Sequence, residues 1–186
     1  MKKMFLVLIA FSFLTQIFAQ QNSTAANVIL NHYAARNFAE GAISPSDLDT
    51  IIKAGIRAPS AVNQQPWHFT VVQNFDLAKQ IVPASVSGNV LIVVSAQGDG
   101  KTNGAKILDC ALAVQSIYLA AQALGYGSRI YTGPMDNVNS KFKAQLGLPS
   151  GHSAVALVRV GRVQGQVDAV SAASGRKSAD ELVTYK

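Results

Sequence analysis

Apolar positions along this chain alternate between a helical rhythm and short β-branched runs. Val28, Ile29, Leu30 and Tyr33 recur at helical spacing and predict a helix over residues 24–38, ending near Arg36-Asn37-Phe38. Ser44-Pro45-Ser46-Asp47 is a second helix start, with Ser at the N-cap, Pro at the first helical position and an acid three residues on. Leu48, Ile51, Ile52, Gly55 and Ile56 give that helix one apolar face. It must stop before Pro59, because the residue ahead of a proline is disfavoured in the helical region. Residues 68–72 and 90–94 are runs of strand length, the second apolar enough to be buried on both faces. Residues 76–82 between them predict a short helix. The longest periodic segment covers residues 103–124, where Ile107, Cys110, Ala111, Val114, Ile117, Tyr118, Ala121 and Leu124 form a broad stripe and Gly125 supplies a stop. Its many alanines let another backbone come close, which suits a central core helix or a dimer seam equally. Residues 129–132 read as a strand, 136–147 as a helix with Val138, Phe142 and Leu146 inward, and 154–160 as a further strand. The pattern predicts an α+β domain in two or three layers, with a sheet of four or five strands.

Composition narrows this picture. The chain has 186 residues, 49% apolar and 14% charged, which fits one compact domain. Its first residues lie apart from that domain. Met1-Lys2-Lys3-Met4 is a basic start, residues 5–18 are almost unbroken apolar sequence, and Ile17-Phe18-Ala19 ends on a small residue, so residues 1–19 read as a secretory signal and predict export to the periplasm. The apolar run is shorter than the roughly 20 residues that span a bilayer, and no stable membrane anchor is expected. Loss of Lys2 and Lys3 would lower the net charge from +6 to +4, and the remaining cations are scattered, so nucleic acid is not an expected partner. Cys110 is the only cysteine, excludes an intrachain disulfide and reads as a small buried hydrophobe. His32, His68 and His152 are far apart in sequence and lack partners at ligand spacing, so no metal site is expected.

One segment does not serve packing. Arg57-Ala58-Pro59-Ser60-Ala61-Val62-Asn63-Gln64-Gln65-Pro66-Trp67-His68-Phe69 joins a helix end to a strand start through two prolines and three side-chain amides. Each amide offers two donors and an acceptor in one plane, suited to the edge of a flat heterocycle.

The order of these pieces resembles the nitroreductase family of FMN flavoproteins. The residues that carry the resemblance are Arg36-Asn37-Phe38, the Pro59 to Trp67 turn, Ala120-Ala121-Gln122-Ala123-Leu124-Gly125-Tyr126-Gly127-Ser128, Leu146-Gly147-Leu148-Pro149-Ser150-Gly151, Ala154-Val155-Ala156-Leu157 with Gly161, and Gly175-Arg176-Lys177-Ser178. The resemblance implies one domain over residues 20–186, with a mixed, mostly antiparallel sheet of four to five strands between helices. It also implies an intertwined homodimer whose tail, residues 168–186, is exchanged to the partner, with FMN at the subunit interface. Arg36 and Arg176 stand where the family keeps basic phosphate ligands, and planar guanidinium donors suit that dianion. Pro59, Ser60, Ala61 and Asn63 fall in the segment that lies along the flavin of the other subunit. Gln65 is expected to stabilise that loop, Trp67 to pack in the core, and Gly133 to let backbone amides approach the reactive face of the ring.

The family's N-terminal motif runs arginine, any residue, serine, any residue, basic residue, and here those positions are His32, Tyr33, Ala34, Ala35 and Arg36. Two phosphate ligands are thus replaced, and weaker FMN binding is expected, since each charge-assisted hydrogen bond contributes about 1.5–3 kcal/mol. The activity implied is passage of a hydride from a reduced donor, NAD(P)H in the family, through FMN to nitroaromatic or quinone-like acceptors by ping-pong. The cofactor carries that chemistry, so no catalytic side chain is expected. The competing expectation is an exported flavin carrier with little turnover, because nicotinamide donors are expected inside the cytoplasm.

Overall fold

The computed structural model describes residues 25–102, 104–164 and 176–186. The predicted signal, residues 1–19, lies outside these residues. The chain divides into two compact units, residues 1–32 and 33–186. In the first, helix α1 covers residues 25–31. This corrects the expected helix over residues 24–38. Residues 33–38 instead run as irregular backbone within the second unit, and the physical reason is competition. The Gln122 carboxamide takes both backbone groups of Tyr33, accepting from its N–H at 3.1 Å and donating to its carbonyl at 2.8 Å. Ala35 N–H then donates to Ser128 O at 2.9 Å, and Phe38 bridges Val163. Tertiary partners have taken the groups a helix would have used.

The second unit is built on a four-stranded sheet. Strand β1 (Trp67–Val72), β2 (Val90–Gln97), β3 (Gly127–Tyr131) and β4 (His152–Gly161) stand in the order β1-β2-β4-β3. All three pairings are antiparallel, so the parallel pair that a mixed sheet requires is not found among the described residues. Strand β2 has seven consecutive buried residues, Val90–Ala96, because helices cover both sides of it. Val90, Ile92, Val94 and Ala96 face one cluster with α2 (Pro45–Ile56) and α4 (Gly104–Ala123); Leu91 and Val93 face another with α3 (Phe75–Ile81). The result is the three-layer alternative of the predicted α+β domain.

Helices α2 and α3 each start at a side-chain cap. Ser44 Oγ accepts from Asp47 N–H at 3.1 Å with Pro45 at the first helical position, and Asn74 caps α3 in the same way at 2.9 Å. Helix α2 packs directly on α4, and Gly55 makes the approach possible, since a Cβ there would lie 2.7 Å from Ile117 Cγ1. The expected helix over residues 136–147 is shorter than predicted. One turn, α5 (Met135–Asn137), passes into a π-helical turn at Val138–Phe142 and then irregular turns. Asn139 explains the break: its side chain donates to Ala154 O at 2.9 Å and accepts from Ala154 N–H at 2.7 Å, pinning the turn to β4. Val138 and Leu146 are buried and Phe142 packs on them, as expected. Past the strands, α6 (Ala179–Leu182) is a single turn with a capping box between Ser178 and Glu181.

A buried arginine ties the irregular segment to the sheet. Arg159 on β4 is 1% exposed, donates from Nε to Asn89 Oδ1 at 2.7 Å and from Nη2 to Ala84 O at 2.6 Å, and lies 3.9 Å from the Phe38 ring centroid. Arg159→Ala would remove both charge-assisted hydrogen bonds and leave a cavity beneath Phe38, so urea denaturation should show a loss of about 3–5 kcal/mol. Arg159→Lys should recover less than half of that loss, because an ammonium cannot reproduce the planar fork.

Candidate functional site

The carboxamide-rich turn is the most strained backbone in the described protein. After α2 ends, Ser60 leads into a tight turn at Ala61–Asn63, and Val62, Asn63 and Gln65 have φ of 45°, 57° and 46°. Each left-handed residue other than glycine costs about 1–2 kcal/mol, and a β-branched one is the least tolerant. Such strain persists only where the surroundings over-determine it. Here Asp109 Oδ1, on α4, accepts from Ala61 N–H at 3.1 Å, and Ser60 Oγ accepts from Gln65 N–H at 3.0 Å. Gln65 Nε2 donates to Asn63 Oδ1 at 3.2 Å, the loop-stabilising role expected of it. Pro59, Ala61 and Asn63 remain exposed, and Val62 stands 87% exposed. The turn is rigid and turned outward. Trp67 is half-buried, packed on the core and stacked with Phe69.

Tyr33 and Arg176 lie near the far end of α4. Gln122 holds Tyr33, and its Nε2 also donates to Ser128 Oγ at 2.8 Å. Burial raises the pKa of both the Tyr33 and the Tyr118 phenol, and Tyr118 adds to the rise at Tyr33. Arg176 lies near Tyr118 and opposes that rise. Arg36 is exposed on the same segment, two residues before Phe38. Neither Arg36 nor Arg176 has a carboxylate partner among the described residues. Arg176 thus lies beside Tyr118, and Arg36 stands on the segment that Gln122 anchors through Tyr33. Ala34 contributes no side-chain donor, and His32 belongs to the first unit, where its Nδ1 donates to Ile29 O at 2.5 Å. Gly133 is exposed in the turn after β3, and a Cβ there would meet nothing within 4 Å.

The two groups meet α4 at different points along its length. Nine residues of α4 separate Asp109, which holds the turn, from Tyr118, beside Arg176; at about 1.5 Å per residue they stand roughly 13 Å apart along the helix. Asp109 and Gln122 were not picked out from sequence. Asp109 had one visible signal: it is the only acid in the 20 residues of α4, and it is 4% exposed. It also acts on its neighbour. Burial and then the Asp109 charge push the Cys110 thiol up to about 11, so the buried thiol stays protonated.

Asp109→Ala should free the turn. The lost bond to a carboxylate corresponds to about 1.5–3 kcal/mol, so amide exchange at Ala61–Gln65 should speed up by roughly ten- to a hundredfold while exchange in β2 is unchanged. Cys110 in the native protein should be silent to a disulfide reagent at about pH 8 and react only on unfolding; fast native labelling would contradict its protonated, buried state.

Comparison with known proteins agrees with this geometry. The sequence profile of the Nitroreductase family matches residues 29–91 and 87–162. A protein of Archaeoglobus fulgidus with the provisional name NADH dehydrogenase/NAD(P)H nitroreductase is 31% identical over 151 residues, covering 76% of this chain and 86% of the relative. Among solved structures, a nitroreductase with bound FMN from Desulfitobacterium hafniense superposes with a TM-score of 0.73 at 23% identity, covering 88% of this chain and 98% of that one. A nitroreductase with bound FMN from Bacteroides fragilis gives 0.70 at 22% identity, covering 87% and 98%. With the family's profile matched at residues 29–91 and 87–162 and a relative 31% identical over 76% of the chain, the chain belongs to the nitroreductase family.

Proposed function

We propose that this protein is an FMN-dependent oxidoreductase that works as a homodimer. The observation that carries the reading is the strained amide-bearing turn, whose Pro59, Ala61 and Asn63 face outward from the chain that holds it. In this reading Arg36, Arg176 and Tyr33 hold the phosphate, while Pro59, Ser60, Ala61 and Asn63 reach across to the flavin of the partner. Gly133 leaves open space beside the ring. When bound, FMN supplies a ring that takes two electrons from a reduced nicotinamide and returns them to a nitroaromatic or quinone-like acceptor. The chain's own residues bind and orient it. Ping-pong kinetics follow if donor and acceptor share one face.

Surface chemistry supports the dimer. Leu108 and Leu112 lie one turn apart on α4 and are 62% and 37% exposed. On the tail, Leu182 and Tyr185 are 66% and 92% exposed, apolar surface that a partner would cover. Residues 168–175 of the proposed exchanged tail lie outside the described residues. We place the protein in the periplasm after removal of residues 1–19. A second reading, an exported flavin carrier, is favoured by Ala34, which offers the phosphate no side-chain hydrogen bond.

Flavin fluorescence titrations test the site. Wild type should bind FMN, and Arg176→Ala and Asn63→Ala should each weaken binding about ten- to a hundredfold; no loss in either variant would refute the assignment. His32→Arg with Ala34→Ser should tighten binding by a similar factor. Bleaching of the bound flavin by dithionite and by NADH, with colour restored by a quinone, supports the oxidoreductase; bleaching by dithionite alone supports the carrier. Mass spectrometry of the periplasmic fraction should find a mature chain beginning at Gln20.

A further inference from the structure

A cleft of about 530 Å³ opens at one end of the sheet, where β1 begins, β2 ends and β4 begins. Its size falls within the range of small-molecule sites, about 300–1,000 Å³. Trp67 and His68 enter it from β1, Gln97 from β2, His152 from β4 and Lys106 from the first turn of α4, with Gln64 at the rim. No carboxylate lines it among the described residues.

The arrangement concentrates positive charge. The His68 and His152 rings meet edge to face with centroids 6.3 Å apart, and Ser95 Oγ lies 3.4 Å from His152 Nδ1. Burial, then His68, then Lys106 lower the His152 pKa below the ordinary imidazole value, so basic side chains from β1 and α4 both face it. Lys143, on the segment packed on the start of β4, donates from Nζ to Ser153 Oγ at 3.0 Å and does not line the cleft. The nearest acid on α4, Asp109, lies three residues beyond Lys106 and directs Oδ1 to Ala61 N–H. Lysine in the first turn of a helix is also opposed by the macrodipole.

We propose that this cleft is a binding site for a small molecule carrying at least two oxyanion groups, phosphate or carboxylate, held by Lys106, His68 and His152 and by the amides of Gln64 and Gln97. The site is separate from the flavin phosphate ligands Arg36 and Arg176 and does not depend on the FMN reading. An anion beside His152 favours the imidazolium, so binding takes up a proton and tightens as pH falls through the depressed His152 range.

Trp67 is the only tryptophan and lines the cleft, so its fluorescence reports occupancy whether or not flavin is bound. The protein as purified is titrated with pyrophosphate in one arm and citrate in the other, at constant ionic strength set with sodium chloride. A saturable change is expected with at least one probe, about tenfold tighter near pH 6 than near pH 8. Lys106→Gln and His152→Gln should each weaken it about tenfold, and Arg36→Gln should leave it unchanged. The arm that saturates identifies phosphate or carboxylate as the bound chemistry. No saturable change with either probe up to about 10 mM overturns the proposal, as does a signal lost in Arg36→Gln but kept in Lys106→Gln.

Discussion

The length of one rigid helix constrains everything functional in this protein. Helix α4 is buried along one side by α2 and the sheet, through Cys110, Val114, Ile117, Tyr118 and Ala121, so it has no freedom to shift or bend. Two polar side chains interrupt its otherwise apolar hold on the rest. Asp109 fixes the turn near one end and Gln122 fixes the segment at residues 33–35 near the other. The pitch of an α-helix therefore sets the spacing between the two halves of the site.

The legible parts of the fold were those decided by local chemistry. Ser44 and Pro45 start α2, Gly125 follows α4, and the unbroken apolar run of β2 announces burial on both faces. The illegible parts were decided at a distance. Nothing near Tyr33 says that a carboxamide 89 residues away will take both its backbone groups. Val138, Phe142 and Leu146 recur every four residues, a spacing between the 3.6 of an α-helix and the wider π turn, so inward positions were readable while the helix type was not.

The candidate site divides the same way. The amides and prolines of the turn were conspicuous, and the basic residues at Arg36 and Arg176 acquired meaning only from the family pattern. Asp109 escaped because a helical stripe is read through its apolar members, and its partner is a backbone N–H that no sequence displays. The left-handed backbone at Val62 is hidden more deeply, since valine is among the residues least expected there.

That valine has a thermodynamic consequence. A folded state that holds Val62, Asn63 and Gln65 left-handed carries strain on the order of a few kcal/mol, a sizeable share of the roughly 5–15 kcal/mol by which a domain is stable. Glycine at position 62 would relax part of that load and would also let the turn wander among other shapes. Thermostability and a fixed ligand-facing surface are thus opposed at this one position, and a variant chosen only for its melting temperature would drift toward a better-folded protein with a poorer grip.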